Sequence, residues 1–139
     1  MAKPMAPDPL IGTWKLNVAK SSVRVVPGPK SYLVKAEAWE DGINAEIDVV
    51  DAEGKTLHVE VSYKFDGKDY PIKGSPMADA VSLKRVNERQ TDVTWKKDGK
   101  VVMTGKSVIS ADGRTTTVTQ TGKDPEGRAV NNTTIYDKQ

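Results

Sequence analysis

Leu57-His58-Val59-Glu60-Val61-Ser62-Tyr63-Lys64-Phe65-Asp66-Gly67 is the stretch whose reading decides the fold. Its odd positions Leu57, Val59, Val61, Tyr63 and Phe65 are apolar and its even positions His58, Glu60, Ser62 and Lys64 are polar. In an extended chain such alternation makes one face dry and the other wet. Asp66-Gly67 then supplies a reversal, because Gly accepts positive φ without a Cβ clash and Asp hydrogen-bonds back onto the turn. The same period of two recurs in Ile43, Ala45, Ile47 and Val49 against Asn44, Glu46 and Asp48, and in Val93 and Trp95 against Asp92, Thr94 and Lys96. A sheet solvated on one side is antiparallel, unlike the doubly covered sheet of α/β proteins.

Further turn signals stand at Glu40-Asp41-Gly42, Asp51-Ala52-Glu53-Gly54, Asn87-Glu88, Asp98-Gly99, Asp112-Gly113 and Asp124-Pro125-Glu126-Gly127. The segments between them are rich in Val, Thr, Ile and Tyr, residues that fit a pleated, half-buried surface. The pattern predicts an all-β fold, a single antiparallel up-and-down β-barrel of nine or ten strands with little or no helix. Closure is expected because a meander whose first strand (Leu10 to Leu16) pairs with its last (Asn132 to Lys138) leaves no edge open to aggregation. Val18 to Lys30 is a long connection that Pro27-Gly28-Pro29 keeps from forming a regular helix. Pro71 to Asp79, containing Gly74-Ser75-Pro76, is expected as a loop near one barrel mouth. Residues 1–9, with Pro4, Pro7 and Pro9, read as a disordered leader or mark where a natural export signal has been replaced; residues 10–139 form the barrel domain.

At 139 residues the chain has the length of one domain, able to bury roughly two thirds of the surface its unfolded form exposes. Lys and Arg number 21 against 19 Asp and Glu, with the signs interleaved, so no basic stripe is offered to nucleic acid. The absence of Cys removes disulfides and thiolate chemistry. No apolar run approaches the ~20 residues of a membrane span, and the N-terminus lacks a signal peptide's apolar stretch. A soluble protein is expected, monomeric in preference, and either periplasmic or secreted if an export signal has been removed or else cytoplasmic.

No catalytic or metal motif stands out, and no cofactor is expected. His58 is the lone histidine; alternation puts it and Glu60 on the outer face, where a His-x-Glu pair is an ordinary polar surface. No Gly-x-Ser-x-Gly elbow exists, and the Gly-containing turns lack the following helix that would make an anion cradle.

The ends of the chain carry a resemblance. Leu10-Ile11-Gly12-Thr13-Trp14 resembles the G-x-W signature that opens the first strand of the calycin superfamily, which contains lipocalins and fatty-acid-binding proteins. Thr134-Ile135-Tyr136-Asp137-Lys138 resembles the last strand of a fatty-acid-binding protein, where an Arg-x-Tyr pair holds the ligand carboxylate. The chain is also similar to small lipocalin-like proteins of bacteria. The resemblance implies that Trp14 plugs the closed end of the barrel. Thr134 stands where that family has its Arg, the Val18 to Lys30 segment is too short for its helix-turn-helix lid, and a lipocalin's C-terminal helix is missing.

With Tyr136 pointing inward, period two places Val130, Asn132 and Thr134 on the same lumen row. Such groups must meet one another, ordered water or a ligand, because a buried unpaired polar group costs about 1–3 kcal/mol. Arg85 shares phase with Val81 and Leu83, so its guanidinium either anchors a ligand acid or reaches solvent past the rim. Trp14, Tyr32, Tyr63, Phe65, Trp95 and Tyr136 face inward by phase. The small inward residues Ala36, Ala38, Ala45, Gly105 and Thr116 leave volume for a cavity. Trp39, in the opposite phase from Tyr32, marks either a contact patch or an isolated exposed aromatic. The function these residues predict is binding of a small apolar or amphipathic molecule, with Tyr136, Thr134, Asn132, Arg85, Trp95, Tyr63 and Tyr32 as candidate ligand contacts and Trp14 closing the barrel. Two alternatives stay open: a small β-barrel enzyme of isomerase or hydrolase type using lumen Tyr or carboxylate groups, and a protein-interaction module with a filled core.

Overall fold

The computed structural model describes residues 10–17, 19–23, 30–51, 53–75, 78–123 and 127–139. Within them the chain runs as β1 (Gly12–Leu16), β2 (Ser22–Val23), β3 (Ser31–Trp39), β4 (Gly42–Val50), β5 (Thr56–Tyr63), β6 (Asp66–Lys73), β7 (Ala80–Arg85), β8 (Gln90–Lys97), β9 (Lys100–Ile109), β10 (Thr115–Lys123) and β11 (Ala129–Lys138). From β3 to β11 every strand pairs with the next in sequence, and β1 pairs with both β3 and β11. The result is a closed antiparallel up-and-down barrel of ten strands, because β2 adds no new wall: it continues β1's path along β11. The leader at residues 1–9, Pro27-Gly28-Pro29 and Asp124-Pro125-Glu126 lie outside the described residues.

The seam sets Trp14, Lys15 and Leu16 against Lys138, Asp137 and Tyr136. Beyond Leu16 the ladder breaks at a bulge and resumes with Ser22 opposite Thr133 and Val23 opposite Asn132. Ser21 splices the break. Its Oγ donates to the Asn17 carbonyl at 2.7 Å and accepts from the Ile135 N–H at 2.9 Å. One hydroxyl therefore satisfies two main-chain groups that the bulge would otherwise leave short of partners. Asn17 adds its side-chain amide to the Asp137 carboxylate at 2.9 Å.

Turn chemistry follows the sequence at several corners. Asp98 and Gly99, at φ 53° and 79°, form the two-residue reversal that right-twisted strands favour. Asp51 accepts from the Glu53 and Lys55 amides, and Asn87 from those of Arg89 and Gln90. One expectation needs correction, that of a loop beginning at Pro71, and one is refined. Asp66-Gly67 opens β6, where Asp66 pairs with Lys84 of β7, and stands at the midpoint of the β5–β6 reversal, since Glu60 opposes Lys73 and Val61 opposes Ile72. Gly67 takes φ 79° where the β6–β7 register shifts, so its positive φ serves a bulge. Pro71 to Lys73 likewise belong to β6, leaving the irregular stretch to begin at Gly74.

Pro71 is tolerated because of which way it faces. The Ile72 N–H bonds the Asp79 carbonyl on the β7 side, so the Pro71 nitrogen faces β5. There it can donate nothing, and the β5–β6 ladder stops after Glu60–Lys73 and Val61–Ile72. Only these two residue pairs join β5 to β6, against nine between β10 and β11.

The core gathers towards one end of the barrel, where Ala36, Ile43, Ala45, Val61, Val81, Leu83 and Val93 pack together and Leu10, Ile11, Tyr63 and Phe65 lie against them. Trp14 is 4% exposed there and donates from Nε1 to the Leu10 carbonyl at 2.9 Å. The first strand's own leading residues thus fix the indole across the floor. Ala38, in phase with Ala36, is exposed at the end of β3. Outward rows carry Asn44, Glu46, Asp48, His58 and Glu60, the reverse of the apolar outer band of a transmembrane barrel. Among the described residues no helix is long and apolar enough to cross a membrane.

Ser21→Ala is expected to lower unfolding stability by about 1–3 kcal/mol, since it strands the Ile135 N–H, and Trp14→Ala by about 3–5 kcal/mol. Urea unfolding followed by circular dichroism checks both.

Candidate functional site

Strand alternation leaves an enclosed space along the barrel axis, a cavity of about 600 Å³. That lies within the roughly 300–1,000 Å³ of pockets that hold small molecules. One end is shut by Trp14 and Leu10; the lining reaches the other end at Asp51, Leu57, Ser75 and Ala78. Leu57 lies on the inward row yet is 38% exposed, whereas Trp14 at the floor is nearly sealed. The mouth therefore lies at the end carrying the β4–β5 and β6–β7 turns.

The lumen has two unlike halves. On β3 to β5 and β7 the lining is mostly aliphatic, with Val34, Ala36, Ala45, Ile47, Val49, Val59, Val61, Val81 and Leu83, joined by the rings of Tyr32 and Tyr63. On β9 to β11 it includes Ser107, Thr116, Gln120, Asn132, Thr134 and Tyr136. Register explains this clustering: Thr116 pairs with Tyr136, Gln120 with Asn132, and Val118 with both Ser107 and Thr134. Among the described lining residues there is no Lys, Arg or His, and the single carboxylate, Asp51, stands at the mouth.

Partners on the polar wall are local. Asn132 Nδ2 donates to Gln120 Oε1 at 3.3 Å, and Thr134 Oγ1 donates to the Val118 carbonyl at 3.3 Å. The Tyr32 and Tyr136 rings meet at 5.6 Å between centroids, tilted by 57°. Burial raises the pKa of both phenols above the ordinary value, with a Coulombic contribution from Tyr136 at Tyr32 and a partial offset at Tyr136 from its hydrogen bond with Thr134. Both keep their protons at neutral pH and remain potential hydrogen-bond donors. Thr116 is 5% exposed, and its Oγ1 is buried without a hydrogen-bond partner.

The structure brings Tyr32, Tyr63, Trp95, Asn132, Thr134 and Tyr136 together around one cavity, with Trp14 beneath. Arg85 lies elsewhere. Its guanidinium carbon sits 3.9 Å from the Phe65 ring centroid, outside the cavity lining, and Phe65 in turn stacks edge-on against Tyr63 at 5.6 Å. The stack occupies the region where β5 and β6 part. Ser107 and Gln120 went unnoticed as polar lining residues, although the alternations Met103, Gly105, Ser107, Ile109 and Thr116, Val118, Gln120 carried the signal. The side chain of Val130 lies outside the described set.

On the outer face His58 is held from both sides, its Nδ1 2.7 Å from Asp48 and its Nε2 3.2 Å from Glu60. Glu46 completes a group whose ligand atoms lie within 4.8 Å of one another, all on exposed residues. Asp48 and Glu46 join His58 because β4 and β5 pair Asp48 with His58 and Glu46 with Glu60. Trp39, half-buried, meets Tyr70 edge-on at 6.5 Å and lies under Lys64.

The fold and the cavity define a closed ten-stranded barrel with an accessible, two-sided lumen. No protein-family model matches the chain, and comparison with curated proteins finds no match.

The His58 pKa is raised above 6.5 by its bonds to Asp48 and Glu60. The sign follows: the protonated ring favours the folded state, a contribution present below the unfolded pKa and lost as pH rises through the folded one. An NMR titration should place His58 above 6.5, and Asp48→Asn should bring it back down.

Proposed function

We propose that this protein binds a small apolar or amphipathic molecule inside the barrel. The observation that carries the reading is the cavity of about 600 Å³, lined mostly by aliphatic residues on one side and carrying hydroxyl and amide groups on the other. A well-packed interior has few voids larger than a water molecule, and an apolar void is costly because its lining loses dispersion contacts. A ligand restores those contacts. Trp95, Tyr63 and Tyr32 supply aromatic surface, while Tyr136, Thr134 and Asn132 supply polar atoms. The same volume weighs against an interaction module, which requires a filled interior. For an enzyme of isomerase or hydrolase type the lumen offers three phenols, of which Tyr32 and Tyr136 are held protonated by burial, suited to donating hydrogen bonds and ill suited to abstracting protons at neutral pH.

Membership of the calycin superfamily belongs to the same proposal. It is supported by Gly12-Thr13-Trp14 opening the first strand, by the indole lying across the floor, and by the seam between first and last strands.

Nile red should be taken up with a blue shift and a gain in fluorescence, and native mass spectrometry should detect a one-to-one complex. Ile47→Trp and Val118→Trp, which fill the cavity from opposing walls, should each weaken uptake by about tenfold or more, a loss of at least roughly 1.4 kcal/mol. Undiminished uptake by both folded variants would rule the lumen out as the site.

A further inference from the structure

We infer that the lumen selects uncharged amphiphiles, with an alkyl or polycyclic body against the aliphatic wall and a hydroxyl or carbonyl held deep inside by the polar wall around Thr116, Thr134 and Tyr136. The inference rests on the lumen being the binding site and names the chemical class that it takes. Charge supplies the first argument. A carboxylate drawn into this lumen would leave water and meet no cation among the described lining residues. Unpaired buried charge is so costly that the acid would bind protonated or remain outside. Arg85, the residue whose phase marked it as an anchor for an acid, is stacked on Phe65 outside the lining.

The second argument is the arrangement of the neutral polar groups. Thr116 and Tyr136 are cross-strand partners, and Thr134 is two residues along the same inward row. Thr116 presents a buried hydroxyl oxygen that lacks a hydrogen-bond partner. Hydroxyls both donate and accept, so a ligand hydroxyl or carbonyl can satisfy Thr116 at little desolvation cost, as a carboxylate cannot. The opposing strands β4 to β7 line the lumen with aliphatic side chains and one polar exception, Tyr63, and so offer the ligand's body a mostly apolar surface. Head inward and tail outward is therefore the orientation the lining favours.

Displacement of Nile red by dodecanol, methyl dodecanoate and dodecanoate tests this, at an alkaline pH where the acid is fully ionised. The alcohol and the ester should each displace the probe at least about tenfold more effectively than the acid. Thr116→Val, which removes an unsatisfied polar atom and so should fold, and Tyr136→Phe should each narrow the ratio between displacement by the alcohol and by the acid. Dodecanoate binding about as well as dodecanol would overturn the selectivity and leave the lumen as the site. An alcohol preference untouched in both folded variants would overturn the role of the polar wall. Failure of Nile red and all three lipids to bind would instead overturn the lumen reading itself.

Discussion

The antiparallel pairing of Trp14-Lys15-Leu16 with Tyr136-Asp137-Lys138 is what turns a meander of strands into a wall with an inside. Without it β3 and β11 would present two rows of unpaired main-chain groups, and the inward face of every strand would meet water. The seam is short, and the chain reinforces it with side chains. Ser21 carries the ladder across the bulge, Asn17 ties to Asp137, and the Trp14 indole is fastened to the Leu10 carbonyl so that the strand closing the wall also closes the floor. Lys138, opposite Trp14 in the seam, places its ammonium 5.6 Å from the indole ring and adds a cation–π contact at the same corner.

Separation of chemistry follows from this closure. Charged side chains occupy the outer rows, where ion pairs such as Lys96 with Asp69 at 3.0 Å stay in contact with water and contribute little to stability. Hydroxyls and amides are concentrated on the β8–β11 arc of the interior, from Thr91 to Tyr136, and the arc facing it is mostly aliphatic. A barrel filled solely for stability would place large aliphatic groups at the Thr116, Gln120 and Asn132 positions, because buried polar atoms cost free energy unless paired. The polar arc is thus the part of the interior that packing alone does not explain.

Alternation made the barrel legible. The strict period of two from Leu57 to Tyr63 assigned faces correctly, and the same arithmetic placed Tyr32, Tyr63, Trp95 and Tyr136 around one space. Turn chemistry marked the reversal at Asp66-Gly67, where the same glycine also serves the shift of register against β7. Pro71 misled: a proline is excluded from a strand only if its nitrogen faces a partner, and that depends on register across the sheet. Phase placed Arg85 on an inward row but could not reveal that the Phe65 ring would receive it. The gathering of Ser107, Thr116, Gln120 and Thr134 required the pairings of three strands, which no single segment encodes.

Four strands round from the seam, the two-pair ladder between β5 and β6 gives the hoop a point of low tensile strength. At most other places widening the circumference means rupturing a longer ladder, as between β10 and β11. At β5 and β6 it means loosening the Tyr63–Phe65–Arg85 stack and two residue pairs. Pro71 makes this permanent, since no rearrangement of side chains can restore the amide hydrogen it lacks. Main-chain cohesion of the wall is thereby lowest along one meridian, where parting the strands costs two rungs.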